Sequence, residues 1–181
     1  EAKTVISVGM NYYVGKDQND LESDYKFSNY AWGEDYHIVL KNHLFSLLHW
    51  IRSHVEEIKG VVCVDTSPVM EKVWAQRAGL GWIGKHTNLL SQDIGSWYFL
   101  SEILVDIELP KSEIADNHCG SCKSCIDICP TDAIVAPYVL DSKKCISYLT
   151  IELKGVIPQE FRKAIGNRIY GCDDCQIVCP W

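Results

Sequence analysis

Eight of the nine cysteines in this 181-residue chain lie between Cys119 and Cys179. Cys119-x2-Cys122-x2-Cys125-x3-Cys129-Pro130 has the spacing of the bacterial iron–sulfur ferredoxin run. Three thiolates two residues apart wrap one face of a cubane, and the fourth, followed by proline, points away to a second cluster. Cys172-x2-Cys175-x3-Cys179-Pro180 repeats the motif with its first position vacant, because Ile169 stands there. Cys145 is the spare cysteine that can supply the missing ligand. The count closes at eight ligands for two 4Fe–4S clusters. Cys119, Cys122, Cys125 and Cys179 would hold one, and Cys129, Cys145, Cys172 and Cys175 the other. Disulfides would require an oxidising compartment, of which the sequence gives no sign. Zinc sites favour paired CxxC or mixed Cys/His spacing. Cys63, alone in an apolar run, reads as a small core residue.

The second chemical candidate is Asp65. It ends the apolar run Val61-Val62-Cys63-Val64 just before Thr66-Ser67-Pro68. Side chains at such strand ends project into clefts, but Asp is equally a common helix cap, and both readings stand on position alone. Gly79-Leu80-Gly81-Trp82-Ile83-Gly84 satisfies G-x-G-x-x-G, yet it follows a helix instead of opening one, so it is not a dinucleotide fingerprint. His86 stands where a phosphate-binding loop needs Ser or Thr. The glycines either cap a helix and turn, or let backbone approach a large flat cofactor.

The elements that must position these residues follow from periodicity. Residues 4–13 read as a β-branched and aromatic strand. Residues 17–35, with six acids against one Lys, read as a solvated loop. Leu44, Leu47, Leu48, Ile51, Val55 and Ile58 recur at helical spacing, predicting a helix over 34–59 stopped by Gly60. Residues 61–64 read as a buried strand. A second helix over 68–78 would have Ser67 as N-cap and Pro68 in its first turn. Residues 96–107 complete the β content. The fold class is α+β: an α/β-type domain over 1–110, then a ferredoxin-like domain with two 4Fe–4S clusters over 111–181.

Composition bounds the rest. Hydrophobic residues at 47% and charged residues at 23% are globular values. No apolar run approaches the ~18 residues of a membrane span. A net charge of −7 argues against indiscriminate nucleic-acid binding. Six Lys and Arg between Lys143 and Arg168 form a local basic stretch that fits either a phosphate-contacting or a solvated face. The chain opens at Glu1 without Met and stops at Trp181 directly after a motif; an excerpt of a longer polypeptide is expected.

Several longer segments carry a family resemblance. Asp65-Thr66-Ser67-Pro68, Ala78 through Asn88, Gly95-Ser96-Trp97, Cys145 through Glu152 and Gly166 through Cys175 resemble epoxyqueuosine reductase across essentially the whole chain. The resemblance implies that residues 1–110 bind cobalamin and that the enzyme uses cobalamin and two 4Fe–4S clusters. It would reduce epoxyqueuosine to queuosine at the wobble position of tRNA anticodons. In that family an Asp is the proton donor, and its motif falls on Asp65. Asp65, Thr87, Asn88, Ser147 and Asp173 are the implied cofactor-lining residues. The implied partners are tRNA carrying epoxyqueuosine and a low-potential donor such as flavodoxin or ferredoxin; a cytoplasmic monomer without membrane association is expected. Corrinoid reductive dehalogenases share the cofactor layout, and a non-enzymatic electron-transfer module is the remaining alternative. Asp35-Tyr36-His37 begins the D-x-H-x-x-G pattern of cobalt-ligating histidines, but Leu40 occupies its glycine position, so no protein histidine is expected on cobalt. Asn29 stands where the family usually has Arg before Tyr30-Ala31.

Overall fold

The computed structural model describes all residues, Glu1–Trp181. In chain order the elements are β1 (Thr4–Asn11), β2 (Lys26–Phe27), α1 (Tyr36–His54), β3 (Gly60–Cys63), α2 (Glu71–Arg77), β4 (Trp82–Ile83), β5 (Leu89–Leu90) and β6 (Tyr98–Val105). The cysteine-rich half adds α3 (Ser124–Asp127), β7 (Ile134–Ala136), β8 (Val139–Leu140), α4 (Gln159–Ile165), β9 (Arg168–Tyr170) and α5 (Asp174–Ile177).

The main sheet has the order β1-β6-β3, antiparallel at both junctions. The mixed α and β content expected from the sequence is present, but this ladder is antiparallel where an α/β-type domain would be parallel. β6 is central, and its alternate residues Ser101, Ile103 and Val105 are almost fully buried. Helix α1 packs across one face. Leu40, Leu44 and Leu48, at helical spacing, meet Val64, Ile103 and Val105 in the largest apolar core.

Helix α1 is shorter at both ends than residues 34–59. Asp35 caps its start by accepting the His37 N–H at 2.9 Å. The chain becomes extended at Val55, and Ile58 folds back under the helix into the core. A Cβ on Gly60 would lie 2.6 Å from a Leu48 methyl, so this residue lets β3 pass close beneath the helix. Helix α2 starts at Glu71, not Pro68, with Met70 at its cap position. The Ser67-Pro68 segment instead forms tight turns, with Thr66 N–H donating to the Val64 carbonyl and Val69 N–H to that of Ser67.

Gly79 ends α2 with φ +78°. A Cβ on Gly81 would fall 1.9 Å from the Leu90 carbonyl oxygen, and one on Gly84 2.6 Å from a Leu90 methyl. The glycines thus cap a helix and admit the chain's own β4–β5 hairpin, and the cofactor-approach reading of this motif is not needed.

The 17–35 segment is mostly exposed turn and loop, as expected, but it is pinned at three points. It carries β2, which pairs in parallel with β9, and its Gln18, Ser28 and Asn29 are buried. The Gln18 and Ser28 side chains and the Asn29 backbone N–H anchor the two halves to each other. The expected boundary near residue 110 falls in the irregular stretch between β6 and α3, but the halves interlock on either side of it. No helix is long and apolar enough to cross a membrane.

Candidate functional site

The short helices α3 and α5 hold the two cysteine motifs and pack against one another. The eight cysteines divide between two cavities. A small one is lined by Cys119, Cys122, Cys125 and Cys179. A large one of about 440 Å³ is lined by Cys129, Cys145, Cys172 and Cys175. In each motif the cysteine before proline thus leaves its neighbours and joins the other set, the exchange expected of a two-cluster protein. All eight are free of disulfides. No three His, Cys, Asp or Glu side chains converge on a point as a single metal ion requires. Instead, four thiols surround open space in each cavity.

Hydrogen bonds already point at these sulfurs. The Trp82 indole N–H donates to Cys119 Sγ at 3.4 Å, and the Ala133 N–H donates to Cys129 Sγ at 3.2 Å. Lys85, only 8% exposed, donates from Nζ to the Gly120 and Cys122 carbonyls, both at 2.7 Å. This buried ammonium fastens the loop that carries the first two cysteines.

The large cavity also gathers every residue that the resemblance singled out. Asp65, Thr87, Asn88, Ser147 and Asp173 all line it, together with Tyr30, Tyr36, His86 and Tyr148. Asp65 and Thr87 have positive φ, 49° and 69°. That conformation is rare for a β-branched residue such as Thr87 and marks backbone held under strain. The Thr87 turn is closed by hydrogen bonds from the Gly84 N–H to the Asn88 carbonyl and from the Thr87 N–H to the Gly84 carbonyl. Asn88 Oδ1 accepts from Lys72 Nζ at 2.9 Å. Ser147 donates to the Cys172 carbonyl and opens a π-helical turn over Tyr148–Glu152, a rare geometry that concentrates at functional sites.

Two residues carry a different role from the simplest expectation. Asp173 lines the cavity, but its carboxylate is 1% exposed and accepts from the Ser28 hydroxyl and from the Asn29 N–H at 2.7 Å. It latches the acidic segment onto the cysteine-rich half, although burial pushes its pKa up. Arg168, counted in the basic stretch, is paired with Asp174 and donates to the Ile165 carbonyl, so its charge is already partnered.

Asp65 is not a helix cap. It stands at the cavity edge with about half its side chain exposed, and its backbone N–H donates to Glu71 Oε1 at 2.6 Å. His37 joins it from the first turn of α1. Nε2 lies 3.1 Å from Asp65 Oδ2, while Nδ1 lies 2.8 Å from Asp35 Oδ1. Burial lowers the His37 pKa, but the two carboxylates outweigh it and hold the imidazole above its ordinary value. Tyr36 stacks on Phe99 with ring centroids 4.2 Å apart. Burial, then the Asp65 charge, push its phenol pKa well up, so it remains a hydrogen-bond donor. Glu102 is fully buried in β6 with neither carboxylate oxygen partnered. Burial and the nearby Glu71 push its pKa up to about 7. The legible signal for His37 was its place two residues after a capping Asp at a helix start.

These features define two four-cysteine sets, the second of which opens into a larger acid-bearing pocket. Residues 118–181 match the family model described as 4Fe-4S double cluster binding domain, and residues 1–66 match the one described as Epoxyqueuosine reductase QueG, DUF1730. An epoxyqueuosine reductase from Cellulophaga algicola is 52% identical over 181 residues, covering 100% of this chain and 58% of the relative. One from Vibrio cholerae is 51% identical over 182 residues, covering 98% and 49%. Among solved structures, an epoxyqueuosine reductase with an epoxyqueuosine-modified tRNA-Tyr stem loop superposes with TM-score 0.91 at 36% identity, covering 99% of this chain and 48% of that one. A Bacillus subtilis epoxyqueuosine reductase with its aspartate catalytic loop swung out of the active site gives 0.90 at 35%, again over 99% and 48%. By sequence and by fold this chain is similar to the epoxyqueuosine reductases. It spans about half the length of the curated relatives it matches.

Proposed function

We propose that this chain carries the redox centre of an enzyme that reduces epoxyqueuosine to queuosine at the wobble position of tRNA anticodons. The observation that carries this reading is the large cavity, which unites Asp65, Thr87, Asn88 and Ser147 with a complete set of four cysteines. Residues 1–110 would form the cobalamin-binding part and 111–181 the ferredoxin-like part. Cys119, Cys122, Cys125 and Cys179 would hold one 4Fe–4S cluster, and Cys129, Cys145, Cys172 and Cys175 the other. Thiol-only donor sets suit iron–sulfur clusters. The tyrosines and aliphatic residues of the larger cavity, with a few convergent polar groups, suit a large apolar cofactor, and cobalamin is the one that the resemblance implies. The cluster held by Cys129 and its partners would be the nearer to that cofactor, since its cysteines share the cavity with Asp65.

Bound cobalamin would supply a strongly reducing cobalt, recharged by electrons arriving through the clusters. Loss of the epoxide oxygen as water takes up two electrons and two protons. An alkoxide is a poor leaving group, so the oxygen needs an acid as its carbon bond breaks. Asp65 is that acid. His37 orients the carboxyl through Nε2 and is placed to return a proton to it, while Asp35 fixes the opposite edge of the ring. Tyr36, kept protonated, walls the same side of the pocket. The tRNA substrate, a low-potential flavodoxin- or ferredoxin-like donor, monomeric state and cytoplasmic location complete the proposal.

Anaerobic cobalamin titration of the reconstituted protein, followed by electron paramagnetic resonance, tests the cofactor. Stoichiometric binding with an altered cobalt spectrum is expected. Eight irons per chain with an unchanged cobalamin spectrum would refute it and leave an electron-transfer module. Turnover of an epoxyqueuosine stem loop tests the acid. Asp65→Asn is expected to lower it ~10²–10⁴-fold with both cluster signals intact, and unchanged turnover would remove Asp65 from the mechanism.

A further inference from the structure

His86 is a buried side chain that the proposed chemistry leaves without a task. It is 3% exposed and lines both cysteine cavities. Its Nδ1 accepts the Asn88 backbone N–H at 3.1 Å. An imidazole nitrogen that accepts a hydrogen bond carries no proton, so the neutral ring must carry its proton on Nε2. That Nε2 is buried with no hydrogen-bond partner anywhere in the protein. A buried donor left unmatched costs about 1–3 kcal/mol, and such groups occur where a ligand completes the bonding.

The surroundings limit what that ligand can be. Gly84 approaches the ring so closely that a Cβ there would lie 3.2 Å from His86 Cε1 and 2.6 Å from a Leu90 methyl. The ring is therefore held between the Asn88 amide and the hairpin, with little freedom to turn. The neighbouring Lys85 is already committed to the Gly120 and Cys122 carbonyls. Burial first, then the charge of Lys72, push the His86 pKa down to about 4, in keeping with a neutral ring. What both neighbouring cavities share is a ring of four thiols.

We propose that the Nε2–H of His86 donates a hydrogen bond to a sulfur of an iron–sulfur cluster at the wall between the two four-cysteine cavities, raising the reduction potential of that cluster. Hydrogen bonds to cluster sulfurs stabilise the reduced, more negative state. His86 is thus a positioning and tuning residue for electron flow, not a metal ligand. The inference rests on the reading that both cavities hold clusters, which iron and sulfide analysis establishes separately.

Redox titration of the reconstituted protein, monitored by electron paramagnetic resonance, reads the effect. In His86→Phe one of the two midpoint potentials should fall while the other holds. His86→Gln, which keeps an N–H donor of similar reach, should recover most of that shift. Pulsed resonance on the reduced protein grown with ¹⁵N-histidine should show a weak nitrogen coupling that the labelled His86→Gln variant loses. This measurement decides the matter even if His86→Phe fails to assemble. Eight irons per chain with no coupling lost in the Gln variant, or with both potentials unmoved in His86→Phe, would overturn the role of His86. Failure to incorporate iron in the unmodified protein would overturn the cluster reading instead.

Discussion

The sheet half and the cysteine half of this molecule are held together by different means. The first buries seven apolar residues in one core where α1 crosses β3 and β6. The largest apolar cluster of the second has three, Ile146, Leu149 and Ile165, and its short helices α3 and α5 have four residues each. Helices that short have no stability of their own. The sheet half can hold its shape by hydrophobic burial, whereas the cysteine half must draw order from whatever its thiols bind. The lesson is a division of labour: one half is a scaffold that presents Asp65, and the other is a thin frame that presents thiols. The interlocking bonds of Ser28, Asn29 and Gln18 to Asp173 and Asp174 make the second half lean on the first.

The largest expected effect comes from removing iron. Anaerobic chelation should make the chain beyond residue 118 sensitive to limited proteolysis while the 4–105 region stays protected, because metal binding and folding are one equilibrium in core-poor domains. An unchanged cleavage pattern in the iron-free protein would break the contrast between the halves. Next is Leu44→Ala, which empties the buried centre of the α1 core. It should destabilise the sheet half by about 2–5 kcal/mol in denaturant titration, with iron content unaffected at low denaturant. Equal loss of iron and sheet structure would mean that the halves unfold as one unit.

The smallest effect sharpens how the scaffold presents its acid. The carboxylates of Asp65 and Asp35 hold His37 above its ordinary pKa, so proton NMR should show it titrating above about 6.5. Asp65→Asn should move it downward. The sign for stability follows. A group with a raised folded-state pKa contributes fully below its unfolded value, and that contribution fades as pH rises through the folded value. The stability added by His37 should therefore be complete in mild acid and lost on the alkaline side. An unmoved His37 titration in Asp65→Asn would dissolve the pair.

Much of this was legible because it is written in local spacing. The x2-x2-x3-Pro pattern alone predicted which cysteine leaves each motif, since a chain that wraps one face of a cubane cannot return its next thiol to the same centre. The leucines of α1 announced their core face by a period of 3.6 residues. Asp65, by contrast, was ambiguous from position, and only the turns at Thr66 and Val69, which start α2 at Glu71, exclude capping.

Other features depend on partners distant in sequence. The acid-rich stretch 17–35 is largely exposed as it reads, but nothing local reveals that Asp173, more than 140 residues away, will accept hydrogen bonds from Ser28 and Asn29. The meeting of His37 with Asp65 joins a helix start to a strand end across 28 residues, and the unpartnered Nε2 of His86 is visible only once every neighbour is in place. The sequence by itself determined the cysteine sets, the chemical candidates and the helical core face, because each is a matter of spacing along one chain. Only the tertiary structure decided the antiparallel order of the sheet, the joining of Asp65 to the second cysteine set, and the isolation of His86. Those depend on long-range packing and on which buried polar groups find partners.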